Sequence, residues 1–179
     1  VTARPAGGKD VGYRTISRPL VEGLRQAGVP VQVDIVRPGT YRDLVGKLEA
    51  AQDAHGSGYY QVVHFDVHGA LLTYEQCCAQ AEADRVMFQT RYGRDDLEPY
   101  EGLKAFLSLE GTGEVETDLL EAQELADLLQ QHQVPIVILN ACQSAKQVHG
   151  VGEEGQGEAE ARGAGVPETS LGSCLMGAG

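Results

Sequence analysis

Residues 134–142 read VPIVILNAC, an almost unbroken apolar run that ends in an amide and a thiol. A strand with no polar alternation is one covered on both faces, and such strands belong to parallel sheets flanked by helices. The rest of the chain alternates accordingly. VTARP (1–5) reads as the tail of a strand, and 6–14 as a loop. TISRPLVEGLRQAG sets Ile16, Leu20, Leu24 and Ala27 on one helical face and stops at Gly28. VPVQVDIV (29–36) is β-branched and alternating, hence a strand. TYRDLVGKLEAAQDA is an amphipathic helix with Thr40 placed to cap it, and YYQVVHFDV (59–67) is the next strand. TDLLEAQELADLLQQHQ predicts a helix through Leu120, Leu125, Leu128 and Leu129, leading straight into 134–142. Strand and helix in turn describe an α/β fold with a doubly wound, mostly parallel sheet.

Three stretches depart from that rhythm. Residues 73–101 form a polar insertion without clean periodicity, followed by LKAFLSLE (103–110), a short strand suited to a hairpin. Residues 149–168, rich in Gly and Glu, are expected to be a mobile acidic loop. TSLGSCLMGAG then begins a helix. With its first strand half present and its last helix feeding nothing, the sequence reads as one partial domain, 1–179, truncated at both ends. A formal net charge of −12 argues against nucleic acid or an anionic membrane as partner. No apolar run approaches the roughly 18 residues of a membrane span, and no secretory signal is visible. The four cysteines, Cys77, Cys78, Cys142 and Cys174, make neither paired CxxC spacings nor a secreted disulfide framework. A reducing cytoplasm and no metal are the expectations.

In a parallel α/β sheet the working groups lie beyond the carboxyl ends of the strands. HFDVHG (64–69) ends one strand and LNACQS (139–144) ends another, so the fold can bring His68 and Cys142 to one crevice. A thiol needs a base or an imidazolium beside it to react at neutral pH, and His68 supplies that. The backbone N–H groups of Gly69 and Cys142 are the candidate donors to an oxyanion. This chemistry calls for no metal and no organic cofactor. His64 reads as a satisfied histidine within the strand. Asp66 shares a strand face with His64 and His68 and can either orient a histidine or hydrogen-bond a loop. Cys77, Cys78 and Cys174 read as packing residues, and His55, His132 and His149 carry no signal.

His68-Gly69 and Asn140-Ala141-Cys142 resemble the dyad of caspase-like cysteine peptidases. TARPAGG, YRTISRPLVEGL, VDIVRPGTYRDLVGKL, VVHFDVHG and VILNACQSA together resemble the CHAT domain, a member of that caspase and separase group often attached to tetratricopeptide repeats. The resemblance implies a cysteine endopeptidase acting on a protein or peptide substrate, switched on by a repeat region or another activating partner. It implies catalytic roles for His68 and Cys142. It also points to Asn140, which stands where caspases carry the glutamine that helps to hold an aspartate, and to Arg4, either a pocket arginine or a surface ion pair. The shorter Asn140 makes aspartate a poor expectation for the acyl-side residue of the cleaved bond. Loops after the nucleophile help form the groove in this family, so 149–168 would order or be cut on activation. Two rivals stand beside this reading. One is a catalytically silent scaffold of the same fold used for docking or regulation. The other is a nucleotide-binding domain, which lacks both GxGxxG and GxxxxGK[ST] after any strand.

Overall fold

The computed structural model describes residues 1–5, 17–84, 86–90, 93–95, 97–112 and 116–141. Helix α1 spans Ser17–Gln26, and α2 spans Tyr41–His55. After α1 the backbone turns at Gly28, whose φ of +64° is a conformation that a side chain resists. The α2 cap is the expected one: Thr40 Oγ1 accepts from the Asp43 N–H at 3.0 Å. Strand β1 (Val62–Asp66) is followed by β2 (His68–Leu72), α3 (Tyr74–Asp84), β3 (Val86–Thr90) and β4 (Gly93–Asp95). Then come β5 (Lys104–Glu110), β6 (Thr117–Glu121), α4 (Ala122–Gln131) and β7 (Ile136–Asn140).

The strands form two sheets. β1 and β7 pair in parallel, and Thr2 adds a parallel bridge to Asp66. The second sheet has the order β2-β5-β6-β3-β4, antiparallel except between β3 and β6. The protein is thus mixed α/β, with a small parallel sheet beside a larger, mainly antiparallel one. That second sheet departs from the mostly parallel sheet expected. Its antiparallel body is β2, β5 and β6, which lie outside 73–101; the insertion supplies α3 and extends the sheet beyond β6 with β3 and β4.

Three further expectations are corrected. Residues 29–36 are unpaired backbone with Val29, Val31, Val33 and Ile35 exposed, not a strand of a sheet. Their alternation reflects β propensity, and propensity alone does not supply a ladder partner. Residues 117–121 are strand β6 rather than the start of the helix, because Leu119 pairs with Ser108 of β5 on one side and Phe88 of β3 on the other. β7 is covered on one face only among the described residues, with Ile136 and Ile138 exposed.

One apolar cluster joins the two sheets. It combines Leu44 and Leu48 of α2, Val63 and Phe65 of β1, Leu107 and Leu109 of β5, and Leu125 and Leu129 of α4. A second, smaller cluster on the other face of β5 holds Leu72, Cys77, Phe106 and Leu119. β5 therefore buries both of its faces. The link before α2 is equally tight: a Cβ on Gly39 would fall 2.3 Å from the Thr2 carbonyl oxygen, so only glycine lets the two backbones approach.

Candidate active site

β1 begins apolar and ends in a buried carboxylate, Asp66, 3% exposed. A charge in such a place needs partners, and three segments deliver them. From one side comes the first segment of the chain. The Ala3 N–H donates to the Asp66 carbonyl at 3.2 Å, and Arg4, 5% exposed, sets Nη2 on Asp66 Oδ2. Arg4 Nη1 donates to the carbonyls of Ala3 at 2.7 Å and Asp66 at 2.8 Å. From the other side comes β7, in register Asp66↔Asn140, with Asn140 Nδ2 on Asp66 Oδ1 at 3.0 Å. From below comes β5: Glu110 Oε1 accepts from the Arg4 N–H at 2.9 Å, and Oε2 from the Gly39 N–H at 3.3 Å. These groups meet at the carboxyl edge of the parallel strands, where the sequence directs attention.

The pairing continues one residue further, through the Val67 N–H to the Asn140 carbonyl at 3.2 Å. Beyond Val67 the chain leaves the parallel pair. His68 opens β2, half-buried and opposite Ser108, and Gly69 faces Leu107 inside the β2–β5 ladder. His68 thus stands at the junction of the two sheets. His64 is half-buried on β1, and burial pushes its imidazole below the ordinary range.

Arg4, Asp66 and Asn140 are brought together, and His68 lies two positions after Asp66 in the chain. Cys142 lies outside the described residues, as do the acidic loop 149–168, His149, Cys174 and the helix expected from 169. Among the described residues the Asp66 carboxylate bonds Arg4, which lies outside any helix or strand, and Asn140 rather than a histidine. Glu110 escaped the sequence reading, although a carboxylate closing the apolar strand KAFLSLE is the same signal that Asp66 gives at the end of β1. Cys77 packs as expected. It is fully buried with its sulfur 3.3 Å from Tyr100 Oη, and burial pushes its thiol up, away from reactivity at neutral pH.

Among the described residues no group of three or more His, Cys, Asp or Glu side chains could hold a metal ion, and no helix is long and apolar enough to cross a membrane. Searches of curated proteins and of solved structures each returned no match. A family model does match: the CHAT domain, over residues 17–173. That span carries α1, the RPGTY link, both strands that end at the site, and positions 68 and 142. CHAT domains are counted with the caspase-like cysteine peptidases, and this chain belongs to the CHAT domain family.

Proposed function

We propose that this domain is a cysteine endopeptidase that cleaves a protein or peptide partner through His68 and Cys142. The observation that carries the reading is the register of β1 on β7, Asp66↔Asn140. His68 lies two positions after Asp66, at the head of β2, and Cys142 lies two positions after Asn140 in the sequence. The Cys142 thiolate attacks the scissile carbonyl, forming the C–S bond. His68 gives its proton to the leaving amine as the C–N bond breaks. Water then attacks the thioester, with His68 taking a proton, and the C–S bond breaks to release the acid. Backbone N–H groups of Gly69 and Cys142 hold the oxyanion in both halves.

Asn140 lines the substrate groove beside the nucleophile in this reading, and Arg4 supports that groove from beneath. The reaction needs no cofactor. A cytoplasmic setting suits unpaired cysteines, and a tetratricopeptide-repeat region or another activating partner is the expected switch.

The test uses the full-length protein and its cleaved partner. Cys142→Ala is expected to abolish cleavage, and His68→Ala to slow it by about 10²–10⁴-fold, with circular dichroism unchanged in both. Cleavage that survives Cys142→Ala puts the nucleophile elsewhere. A parent protein that binds its partner without ever cutting it is the catalytically silent scaffold instead.

A further inference from the structure

Past the β1–β7 ladder, Asn140 is held to the β1 side by the Val67 N–H on its carbonyl at 3.2 Å and by its own Nδ2 on Asp66 Oδ1 at 3.0 Å. Leu139 and Ala141 pack against the first apolar cluster, which fixes the depth of this end of β7. On the opposite face Ile136, Ile138 and Asn140 are exposed, so lateral placement falls to the bonds. Asp66 is itself anchored. Arg4 Nη2 sits on its other carboxylate oxygen, with both side chains only 4% exposed, and the Arg4 N–H is held by Glu110 Oε1 at 2.9 Å. Glu110 ends β5, and two positions earlier on that strand Ser108 pairs with His68. β5 thus carries His68 through its ladder, and Asn140 through Glu110, Arg4 and Asp66 in turn.

We infer that Asp66 is a positioning residue: through Asn140 it fixes the end of β7 against the frame that carries His68, and so sets how closely Cys142 comes to the imidazole. It touches neither the substrate nor the reacting atoms. The inference rests on the peptidase reading for the roles of His68 and Cys142, and adds the residue that holds the two strand ends in place. Acyl transfer needs thiol and imidazole in one geometry at every turnover, and a misplacement of about 1 Å can cost ~10²-fold in rate. Without the Asp66 bond, the end of β7 keeps only the Val67 bond beyond its ladder, and strand termini with few contacts open at little cost.

The test uses the full-length protein and the member of a fluorogenic tetrapeptide-amide library that it cleaves best. Asn140→Ala, an exposed change that leaves Arg4 on Asp66, is expected to lower kcat by about 10–100-fold with KM within about twofold of the parent. A residue that only lined the groove would raise KM and spare kcat. Asp66→Asn is the conservative variant. Two amides can meet in either orientation, so the tie to Asn140 survives, and kcat is expected within about threefold of the parent. Asp66→Leu takes the charge from Arg4 just as Asp66→Asn does but also breaks the tie, and its kcat is expected to fall as far as that of Asn140→Ala. Urea midpoints for the three separate lost stability from lost placement, and Asn140→Ala with Asp66→Asn decides the matter even where Asp66→Leu fails to fold. An unchanged kcat in Asn140→Ala, a rise in KM alone, or Asp66→Asn as slow as Asn140→Ala overturns the role of Asp66 and leaves the peptidase reading standing. A parent protein that cleaves no member of the library removes that reading, and the positioning role with it.

Discussion

Asp66 and His64 lie two positions apart on β1 in different company. Arg4 and Asn140 come to the buried Asp66 side chain from two neighbouring segments. Burial, joined by repulsion from the Val1 amine, sets the half-buried His64 imidazole below the ordinary histidine value against the opposing pull of Asp66. The sign for stability follows. A histidine with a depressed folded pKa contributes fully above the unfolded value, about 6.5. As pH falls from there toward the folded value, the unfolded chain binds a proton that the folded one refuses, and stability drops. His64→Gln is therefore expected to flatten the loss of urea midpoint on that acid side, by a small margin because the ring is partly solvated. Parallel midpoint-against-pH curves for the two proteins would remove His64 from the pH response.

At the scale of single elements, sequence foresaw what local chemistry decides and missed what partners decide. Thr40 is an instance of the first kind: its hydroxyl accepts from the Asp43 N–H, and Thr40→Ala should cost about 1 kcal/mol in thermal or urea unfolding, with Thr40→Ser restoring most of it. A Thr40→Ala protein as stable as the parent would mean that packing alone holds the α2 terminus. Gly28 ending α1 and the apolar strands before Asp66 and Asn140 were legible for the same local reason. Residues 117–121 were not, because Leu119 and Leu120 fit a helical stripe and a strand equally well, and pairing with β5 and β3 decided between them. Residues 29–36 erred in the opposite sense, with strand-like composition and no ladder. Site legibility divides along the same line. The position of Asn140 at the end of β7 could be read from the apolar residues before it, whereas His68 opens β2, a strand that only its pairing with β5 reveals. The bond between Arg4 and Asp66 spans 62 positions, and no periodicity encodes it.

Across the whole molecule, β5 is the strand on which the two apolar clusters meet. Ala105, Leu107 and Leu109 turn to the cluster shared with α2, β1 and α4, while Phe106 turns to Leu72, Cys77 and Leu119. The first cluster spans both sheets and includes the strand that ends at Asp66, so the geometry of the candidate site depends on it. The second takes Cys77, Phe88, Leu97 and Tyr100 from the insertion and borders the site through β2 and β5. Leu107, fully buried in the first, should therefore act globally: Leu107→Ala is expected to cost about 2–5 kcal/mol, with amide protection falling in α2, β1 and α4 together. Cys77→Ala removes one buried atom from the second and should cost about 1 kcal/mol. Its effect on exchange should stay within α3 and the adjoining end of β2, leaving Leu44, Leu48 and Phe65 as protected as before. The contrast between the two variants, read by native-state hydrogen exchange, tests the division directly. Loss of protection in α2 on Cys77→Ala equal to that in α3 would merge the clusters into one cooperative unit. The insertion would then be part of what holds the candidate site in place.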